Sequence, residues 1–478
     1  MLFHSYEFVF IFLPLCIVGY YMTMIAQRRH YGTSTKAFLT VMSLISLLYA
    51  SLLSLLVMTI GMLVNYGIYI RMGKTADKRP WLVTGLGINL GMLGLFKYVG
   101  VFGVPLGALG ISFYTFSQIA FLMERYRGNL GQMTPGEYST YLTFFPKLIQ
   151  GPIMLPGEMS EQLRKEKEKQ IDYEGIYRGL VLFVLGLGKK VLLADTLGSA
   201  ADYGYANLAL LHTGDALIVM LSYTLQIYFD FSGYCDMAMG AARMLGFWIP
   251  LNFNSPYKAG SILEFWKRWH MTLTRFFTKY LYIPLGGNRK GEMRSYLNIM
   301  IVFLVSGIWH GAGLTFLVWG AMHGILYVIN KWVVSRQKEE KQWGKMKHIL
   351  QVAATFLFVN AAWVFFRAPS LQEAILLFEK IFAFDFARIN WNLAGYFNMD
   401  EFWYVIKVLH IDRWQYGHYI LMVLMLFVAL FIVFLGKKAV DIAENIKPGV
   451  WSTFALAVLF VWCVVSFSRV SSFIYVNF

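Results

Sequence analysis

The chain has 478 residues, of which 58% are hydrophobic and 14% charged, and its mean hydropathy is +0.53. This composition excludes an ordinary soluble globular protein and predicts an integral membrane protein. The net charge of +15 comes from basic segments between apolar runs, not from one continuous patch, which argues against nucleic acid as a partner.

The first predicted helix covers residues 8–26. No basic residue precedes this run, whereas Arg28, Arg29 and Lys36 follow it, so we expect a retained helix with its N-terminus outside, not a cleaved signal peptide. Residues 37–70 are 34 residues without a charge. Because one span needs about 20 residues, this stretch predicts two short crossings.

Further apolar runs occupy residues 81–96, 99–123, 138–149, 176–188, 216–229, 296–309, 314–329, 349–366, 419–435 and 450–467. Several are short and bounded by Gly or Pro, which indicates re-entrant or interfacial helices. The sequence therefore predicts an all-α polytopic membrane protein, a single domain over residues 1–478 with about 10 to 12 crossings plus partial ones. Cys16, Cys235 and Cys463 have no paired spacing, so neither a disulfide framework nor a metal site is predicted.

Basic residues orient the second half of the chain. Segment 331–347 carries six Lys or Arg residues and segment 437–447 three, so both should be cytoplasmic. Residues 368–415 and the C-terminal tail 468–478 should then be extracytoplasmic, and residues 371–384 are amphipathic enough to lie in the membrane surface. The charged run 164–169 predicts a solvated cytoplasmic loop or, alternatively, a docking surface for an acidic partner.

His310 is the strongest candidate for a functional residue, because an ionisable side chain at membrane depth is costly to keep. Basic residues at 289, 290 and 294 precede the run 296–309, and the basic segment 331–347 follows the run 314–329. Two helices of about 14 to 16 residues would rise roughly 21 to 24 Å into a hydrocarbon core of about 30 Å. His310 should therefore line a cavity or tunnel inside the bilayer; a hydrogen-bonded structural histidine is the alternative.

Two acids also lie within apolar sequence, Asp230 and Asp236. They are candidates for orienting a tunnel, but an ion pair with Arg243 or Lys267 is the preferred interpretation. The pair Gly286-Gly287 predicts a turn, because no phosphate-binding pattern surrounds it.

Three central motifs occur in a fixed order: Phe265-Trp266-x-x-Trp269-His270-Met271-Thr272-Leu273, Tyr282-Ile283-Pro284-Leu285-Gly286-Gly287-Asn288-Arg289 and Gly307-Ile308-Trp309-His310-Gly311. Others are Gly110-Ile111-Ser112-Phe113-Tyr114-Thr115-Phe116, Phe144-Phe145-Pro146-Lys147-Leu148-Ile149-x-Gly151-Pro152-Ile153 and Phe229-Asp230-Phe231-Ser232-Gly233-Tyr234-x-Asp236. Together they resemble the membrane-bound O-acyltransferase family over the whole chain. Within that family the chain resembles the bacterial branch of alginate and peptidoglycan O-acetyltransferases, related to the teichoic acid D-alanyl transferase.

The resemblance implies acyl transfer across a bilayer, for O-acetylation of an extracytoplasmic cell-wall or exopolysaccharide. It makes His310 the catalytic residue and His270 a second catalytic position, with Trp309 and Trp269 on the substrate tunnel. A thioester donor, acetyl-CoA or an acyl carrier, would arrive from the cytoplasm, and a neutral imidazole can accept the proton of the attacking hydroxyl.

The resemblance further implies a location in the cytoplasmic membrane and a separate extracytoplasmic acyltransferase as partner. No bound cofactor is expected. His270 follows two basic residues that would lie near the cytoplasmic face, so it either orients the donor or makes a structural hydrogen bond. His323 lies on the returning helix, where packing is the preferred interpretation.

The last six residues, 473–478, are too apolar for an ordinary solvated terminus. One interpretation is an aromatic anchor at the membrane interface. The other is an acyl carrier: His310 would remove the phenol proton of Tyr475, and the resulting aryl ester has a good leaving group. The tail resembles the Phe-Ile-Tyr-x-x-Phe terminus of the acetyltransferase branch, with Phe473 and Phe478 holding it at the tunnel mouth.

Two other classes also explain polar residues in apolar spans. A transporter or flippase of an acylated or lipid-linked intermediate usually has repeated halves, and the sequence contains no internal repeat. A structural scaffold would not need a histidine at membrane depth.

Overall fold

The computed structural model describes residues 2–29, 34–98, 108–165, 169–336, 344–399, 401, 407–408, 410, 414 and 416–469. Regular structure within these ranges is helical throughout, which confirms the predicted all-α class. The tail motif with Phe473, Tyr475 and Phe478 lies outside the described residues, as do residues 166–168 of the charged run.

The helices of the first half are α1 (Leu13–Arg28), α2 (Thr35–Ala50), α3 (Leu52–Lys74), α4 (Arg79–Tyr98), α5 (Ile111–Tyr126), α6 (Pro135–Thr143), α7 (Phe145–Leu148), α8 (Pro156–Arg164), α9 (Tyr173–Gly188), α10 (Asp195–Ala206) and α11 (Thr213–Met244). A π-helical turn, Phe8–Phe12, leads directly into α1. A second π-helical segment, Lys189–Ala194, joins α9 to α10. The first predicted helix is therefore present and continuous.

The uncharged stretch 37–70 forms two helices, as predicted. Ser51 separates α2 from α3 and is extended, with φ −168° and ψ 116°. Its hydroxyl accepts a hydrogen bond from the backbone N–H of Ser54 at 3.1 Å. This bond satisfies one of the unpaired donors at the start of α3 and fixes the break between the helices.

Helix α11 is the central element and has 32 residues, far more than the predicted run 216–229. Its polar second half is buried against α9, not exposed to lipid, so the helix continues where the apolar run ends. The two backbones meet at Gly186 and Gly233, where a Cβ added to Gly233 would lie 2.8 Å from the Gly186 carbonyl oxygen. Small residues at such a crossing let membrane helices approach closely.

The helices of the second half are α12 (Ile262–Arg268), α13 (Met271–Phe277), α14 (Glu292–His310), α15 (Leu314–Arg336), α16 (Lys345–Arg367), α17 (Leu371–Phe382), α18 (Trp391–Gly395), α19 (Gly417–Phe434), α20 (Ala439–Asn445) and α21 (Val450–Val465). Gly286 and Gly287 have positive φ values of 112° and 54°, which confirms the predicted turn. Helices α14 and α15 form a pair joined by residues 311–313. With 19 residues, α14 is longer than its predicted run and rises about 28.5 Å, not 21 to 24 Å.

Among the described residues, six helical segments are long and apolar enough to cross a membrane: Phe8–Arg28, Leu52–Lys74, Thr213–Met244, Leu314–Arg336, Lys345–Arg367 and Gly417–Phe434. Two shorter apolar helices are Thr35–Ala50 and Val450–Val465. These elements confirm a polytopic helical membrane protein. The number of 10 to 12 crossings and the side on which each segment emerges stay predictions.

Candidate active site

His310 is the last residue of α14 and is buried, with 3% of its surface exposed. Its ring packs against Trp309, Trp319 and Phe366, with centroid separations of 4.6, 5.1 and 4.9 Å. These residues come from α14, α15 and α16. The imidazole is therefore held in an aromatic enclosure inside the protein, where three helices meet.

The C-terminal end of α14 is capped by two side chains from α4. The Lys97 ammonium donates a hydrogen bond to the Trp309 carbonyl oxygen, and the Tyr98 hydroxyl donates one to the Ile308 carbonyl oxygen. The last carbonyl groups of a helix have no partner within it, and a cation there also interacts favourably with the helix dipole. The Lys97 ammonium also lies 5.0 Å from the centroid of the Trp309 ring.

Sequence reasoning missed Lys97, although a signal was present. Lys97 is the single Asp, Glu, Lys or Arg residue between Arg79 and Glu124. A lone cation in such an apolar stretch is costly and needs a buried partner. The structure supplies that partner at the catalytic candidate itself.

A small cavity beside His310, here called the histidine cavity, is lined by Lys97, Gly110, Ile111, Ser112, Phe113, Ile149, Trp309 and His310. Gly110 at the start of α5 has φ 74°, and a Cβ there would lie 3.2 Å from the Ile149 Cα atom. A side chain at this position would be strained and would push the two walls apart. Three separate motifs of the sequence therefore converge on one small space.

His270 is also buried, with 1% of its surface exposed. Its ring lies between Phe231 and Phe113, with centroids 4.7 and 6.4 Å away. Phe113 also contacts Trp309 at 6.1 Å, so it connects the two histidine positions. The chain turns directly after Arg268, where His270 adopts the left-handed conformation, with φ 44°.

The hydrogen bonding of His270 assigns its tautomer. Its Nδ1 lies 3.1 Å from the Oδ1 atom of Asn252, and the same oxygen accepts hydrogen bonds from the backbone N–H and the hydroxyl of Thr272. Because Oδ1 is an acceptor, we assign the proton of neutral His270 to Nδ1. The Nε2 atom then carries a lone pair, and it has no hydrogen-bond partner within the described ranges.

A larger cavity follows α14 and is here called the α14 cavity. It encloses about 250 Å³ and is lined by Trp266, Lys267, Leu273, Thr274, Phe277, Thr278, Tyr282, Asn288, Ile299, Val302, Phe303, Ser306, Tyr327 and Lys331. At its polar end the Lys331 ammonium donates hydrogen bonds to Ser295 Oγ at 2.7 Å and to Asn288 Oδ1 at 2.9 Å. At its other end lies Ser306, one helical turn before His310.

Aromatic rings separate the α14 cavity from His310. Trp266 lines the cavity and lies 5.9 Å from Trp319, which in turn lies 5.1 Å from His310. The Trp266 indole N–H donates a hydrogen bond to His323 Nδ1 at 3.3 Å. His323 thus holds the Trp266 ring, which agrees with the packing interpretation.

The remaining tunnel candidate, Trp269, lies apart from both cavities. Its ring packs against Trp363 and Phe253 at 5.0 Å each and against Phe265 at 5.6 Å. Trp309, in contrast, lines the histidine cavity. Trp309 therefore lies at the cavity beside His310, whereas Trp269 supports the fold around His270.

Asp230 and Asp236 form buried ion pairs, but the predicted partners were wrong. The Asp230 carboxylate pairs with Lys190 at 2.7 Å, and the Asp236 carboxylate pairs with Lys189 at 2.6 Å. Close packing of α9 on α11 brings the π-helical segment to these acids. Neither acid lines the histidine cavity or the α14 cavity.

Arg243 and Lys267, the partners that were expected for these acids, lie elsewhere. The Arg243 guanidinium pairs with Glu444 at 2.5 Å, and Lys267 lines the α14 cavity. Arg243 is one helical turn or more beyond either acid on the same helix, whereas the lysines face the acids from a neighbouring one. Sequence spacing alone does not reveal such a pairing between helices.

The described part of the chain offers no evident set of metal ligands. No group of three or more His, Cys, Asp or Glu side chains that could hold a metal ion occurs there. The three cysteines are buried and unpaired. The arrangement that the structure does offer is two buried imidazoles, a capping ammonium and an apolar cavity, which suits proton transfer.

The fold and the site together define a polytopic helical membrane protein with a buried histidine between two cavities. A model of the membrane-bound O-acyltransferase family matches residues 2–368. A peptidoglycan O-acetyltransferase from Helicobacter pylori is 37% identical over 417 residues, 78% of this chain and 78% of that protein. A Pseudomonas putida protein named "Probable alginate O-acetylase AlgI" is 35% identical over 422 residues, 82% of each chain.

A more distant relative is a teichoic acid D-alanyltransferase from Streptococcus thermophilus, 28% identical over 286 residues, which are 57% of this chain and 68% of that protein. The chain belongs to the membrane-bound O-acyltransferase family and is an acyltransferase. The resemblance predicted from the motifs is therefore confirmed, and the enzyme interpretation prevails over a transporter or a scaffold.

Proposed function

We propose that the protein moves an acyl group, in the simplest case acetyl, from a cytoplasmic thioester to the far side of a bacterial cytoplasmic membrane, for O-acetylation of a cell-wall polymer or exopolysaccharide. The observation that carries this proposal is the α14 cavity, which runs from the polar Asn288 and Lys331 end to within one helical turn of His310. The names of the relatives, peptidoglycan O-acetyltransferase and alginate O-acetylase, support the acetyl group and the polymer class.

The donor would enter at the polar end of the α14 cavity. Lys267 and Lys331 line that cavity, so cationic groups are available to a donor that carries phosphate, such as acetyl-CoA or a phosphopantetheine carrier. The apolar rings farther along suit the extended thiol arm. Movement of Trp266 or Trp319 would open the route to His310.

At His310 the acceptor hydroxyl oxygen attacks the thioester carbonyl carbon while the imidazole takes the hydroxyl proton. The C–S bond then breaks, the ester remains on the acceptor oxygen, and the proton returns to the thiolate, which leaves as a free thiol. His270, with its Nε2 lone pair, orients the acceptor hydroxyl or shares its proton. No bound cofactor is needed for these steps.

The first acceptor in this proposal is the phenol of Tyr475, an assignment that rests on the sequence alone. A tethered phenol would carry the acyl group from His310 to the extracytoplasmic side, with Phe473 and Phe478 anchoring the tail. A separate extracytoplasmic acyltransferase would then pass it to the polymer.

The test uses purified protein in sealed liposomes with radiolabelled acetyl-CoA added to one side. We expect free CoA to appear and label to attach to the protein when the donor has access to the Lys331 side. Tyr475→Phe should prevent stable labelling of the tail, as read by mass spectrometry of its C-terminal peptide. Normal labelling of Tyr475→Phe would refute the carrier assignment, and a wild-type protein that releases no CoA with acetyl-CoA or an acetylated carrier protein would refute the whole proposal.

A further inference from the structure

A third cavity lies between α19, α21 and the π-helical segment after α9; we call it the α19 groove. It encloses about 480 Å³, within the usual range for ligand pockets. One wall consists of α19 positions 421, 424, 425, 428 and 432, followed by Gly436. This spacing puts them on one helical face, so the groove runs along the axis of α19.

The groove is lined mainly by apolar side chains, and Lys437 lies at its Gly436 end. Lys189 and Lys437 are its only charged lining residues in the described part of the chain. The charge of Lys189 is compensated by Asp236 at 2.6 Å, whereas no ion pair of Lys437 is found among the described residues. Lys437 is exposed beside Gly436, whose carbonyl oxygen accepts a hydrogen bond from the Lys258 ammonium at 3.0 Å.

The groove is long enough to hold an acyl chain that spans one membrane leaflet. From Leu421 to Gly436 the wall rises about 22 Å, compared with about 15 Å for one half of a 30 Å hydrocarbon core. Leu424 is 54% exposed and Val428 37% exposed, so the groove is open sideways to the surrounding membrane. A ligand that fits has a long apolar chain and an anionic head at the Lys437 end.

We propose that the α19 groove binds an anionic glycerophospholipid, with an acyl chain along α19 and the headgroup phosphate at Lys437. A helix of a partner protein would cover the apolar wall equally well, but an apolar helix would not neutralise the exposed Lys437 ammonium at the end of the groove. The groove shares no lining residue with the histidine cavity or the α14 cavity. The inference is therefore independent of the proposed acyl transfer.

Native mass spectrometry of the delipidated protein with phosphatidylglycerol or phosphatidylcholine in equal amounts tests the headgroup. We expect the wild type to retain at least one phosphatidylglycerol with at least tenfold preference, and Lys437→Glu to lose that preference. Val428→Trp should fill the groove and lose the bound lipid. Val423→Trp, the same change on the lipid-facing side of α19, should retain it; Val423 is 60% exposed and does not line the groove.

A photoreactive residue at position 424 in native membranes then distinguishes the two occupants. An adduct with the mass of a phospholipid supports the proposal, and an adduct with the mass of a polypeptide overturns it. Equal retention of both lipids by the wild type, or undiminished retention by Val428→Trp, would also overturn it.

Discussion

Lys97 and His310 meet where α14 ends, and that meeting gives the site its rigidity. The ammonium satisfies a backbone carbonyl of Trp309, and the adjacent imidazole is enclosed by rings. A catalytic base must be held close to its productive position, because a misplacement of about 1 Å can cost roughly 100-fold in rate. Lys97 is thus a positioning residue for His310.

Lys97→Met should keep the side-chain volume but remove the donor. We expect a loss of roughly 10- to 100-fold in the rate of thiol release, together with about 1 to 3 kcal/mol of stability for a buried carbonyl left unpaired. Lys74→Met, at an exposed lysine, is the matched control. An unchanged rate in Lys97→Met would remove Lys97 from the site.

His270→Ala should reduce activity less than His310→Ala. The substitution deletes the Nε2 lone pair but leaves Asn252 bound to both donors of Thr272, so the local turn survives. A rate loss of roughly tenfold with an unchanged pattern of limited proteolysis is expected. A loss as large as that of His310→Ala would make His270 the base.

At the scale of elements, the sequence predicted helices well and partners poorly. The division of residues 37–70 into two helices followed from their length, and the turn at Gly286 followed from the paired glycines. The position of the break at Ser51 is known only from the structure. The full length of α11 did not, because its second half is stabilised by α9. The hydrophobic pattern of one helix does not show which other helix packs against it.

The candidate active site was also predicted only in part from the sequence. His310 was predicted from its depth, since the charges on both sides of the helix pair are visible in the sequence. The α14 cavity, the capping by Lys97 and the inward turn at His270 depend on contacts between helices that are distant in sequence. Only the folded chain reveals them.

The crossing of α9 and α11 provides a direct test of this packing. Gly233→Ala would put a methyl group 2.8 Å from the Gly186 carbonyl oxygen and 3.1 Å from the Lys189 Cβ. The carbonyl oxygen is part of a helical backbone, and the Cβ atom is bonded directly to one, so neither can move away easily. We therefore expect the protein to unfold at a markedly lower temperature in detergent, as measured by its tryptophan fluorescence.

Gly87→Ala is the control for that experiment, because nothing lies within 4 Å of a Cβ added there. It should be neutral or slightly stabilising, by about 0.5 to 1 kcal/mol, since alanine favours helix. A Gly233→Ala protein that unfolds at the wild-type temperature would show that the helices are not in close contact.

In the whole molecule, the proposed acyl transfer requires one defined orientation across the membrane. The polar end of the α14 cavity must face the donor, and the C-terminal tail must emerge on the opposite side. Charge in the loops predicts this arrangement, with segment 331–347 cytoplasmic and segment 368–415 outside.

Single cysteines at positions 341 and 387, in a protein without Cys16, Cys235 and Cys463, test the direction. A membrane-impermeant thiol reagent on intact cells should label position 387 and not position 341, which should react only after the cells are opened. The reverse pattern would invert the topology and place the donor on the wrong side of the α14 cavity.

Thiol release by the wild type, His310→Ala and His348→Ala in liposomes tests directly whether acyl transfer depends on His310. His348 is exposed on α16 and provides the same substitution outside the site. Loss of the base should lower the rate of thiol release by His310→Ala roughly 10²- to 10⁴-fold, while the variant still inserts normally into the membrane. His348→Ala should release thiol at the normal rate. Near wild-type release by His310→Ala would contradict the proposed function, because acyl transfer would then not depend on the buried histidine that aromatic rings separate from the α14 cavity.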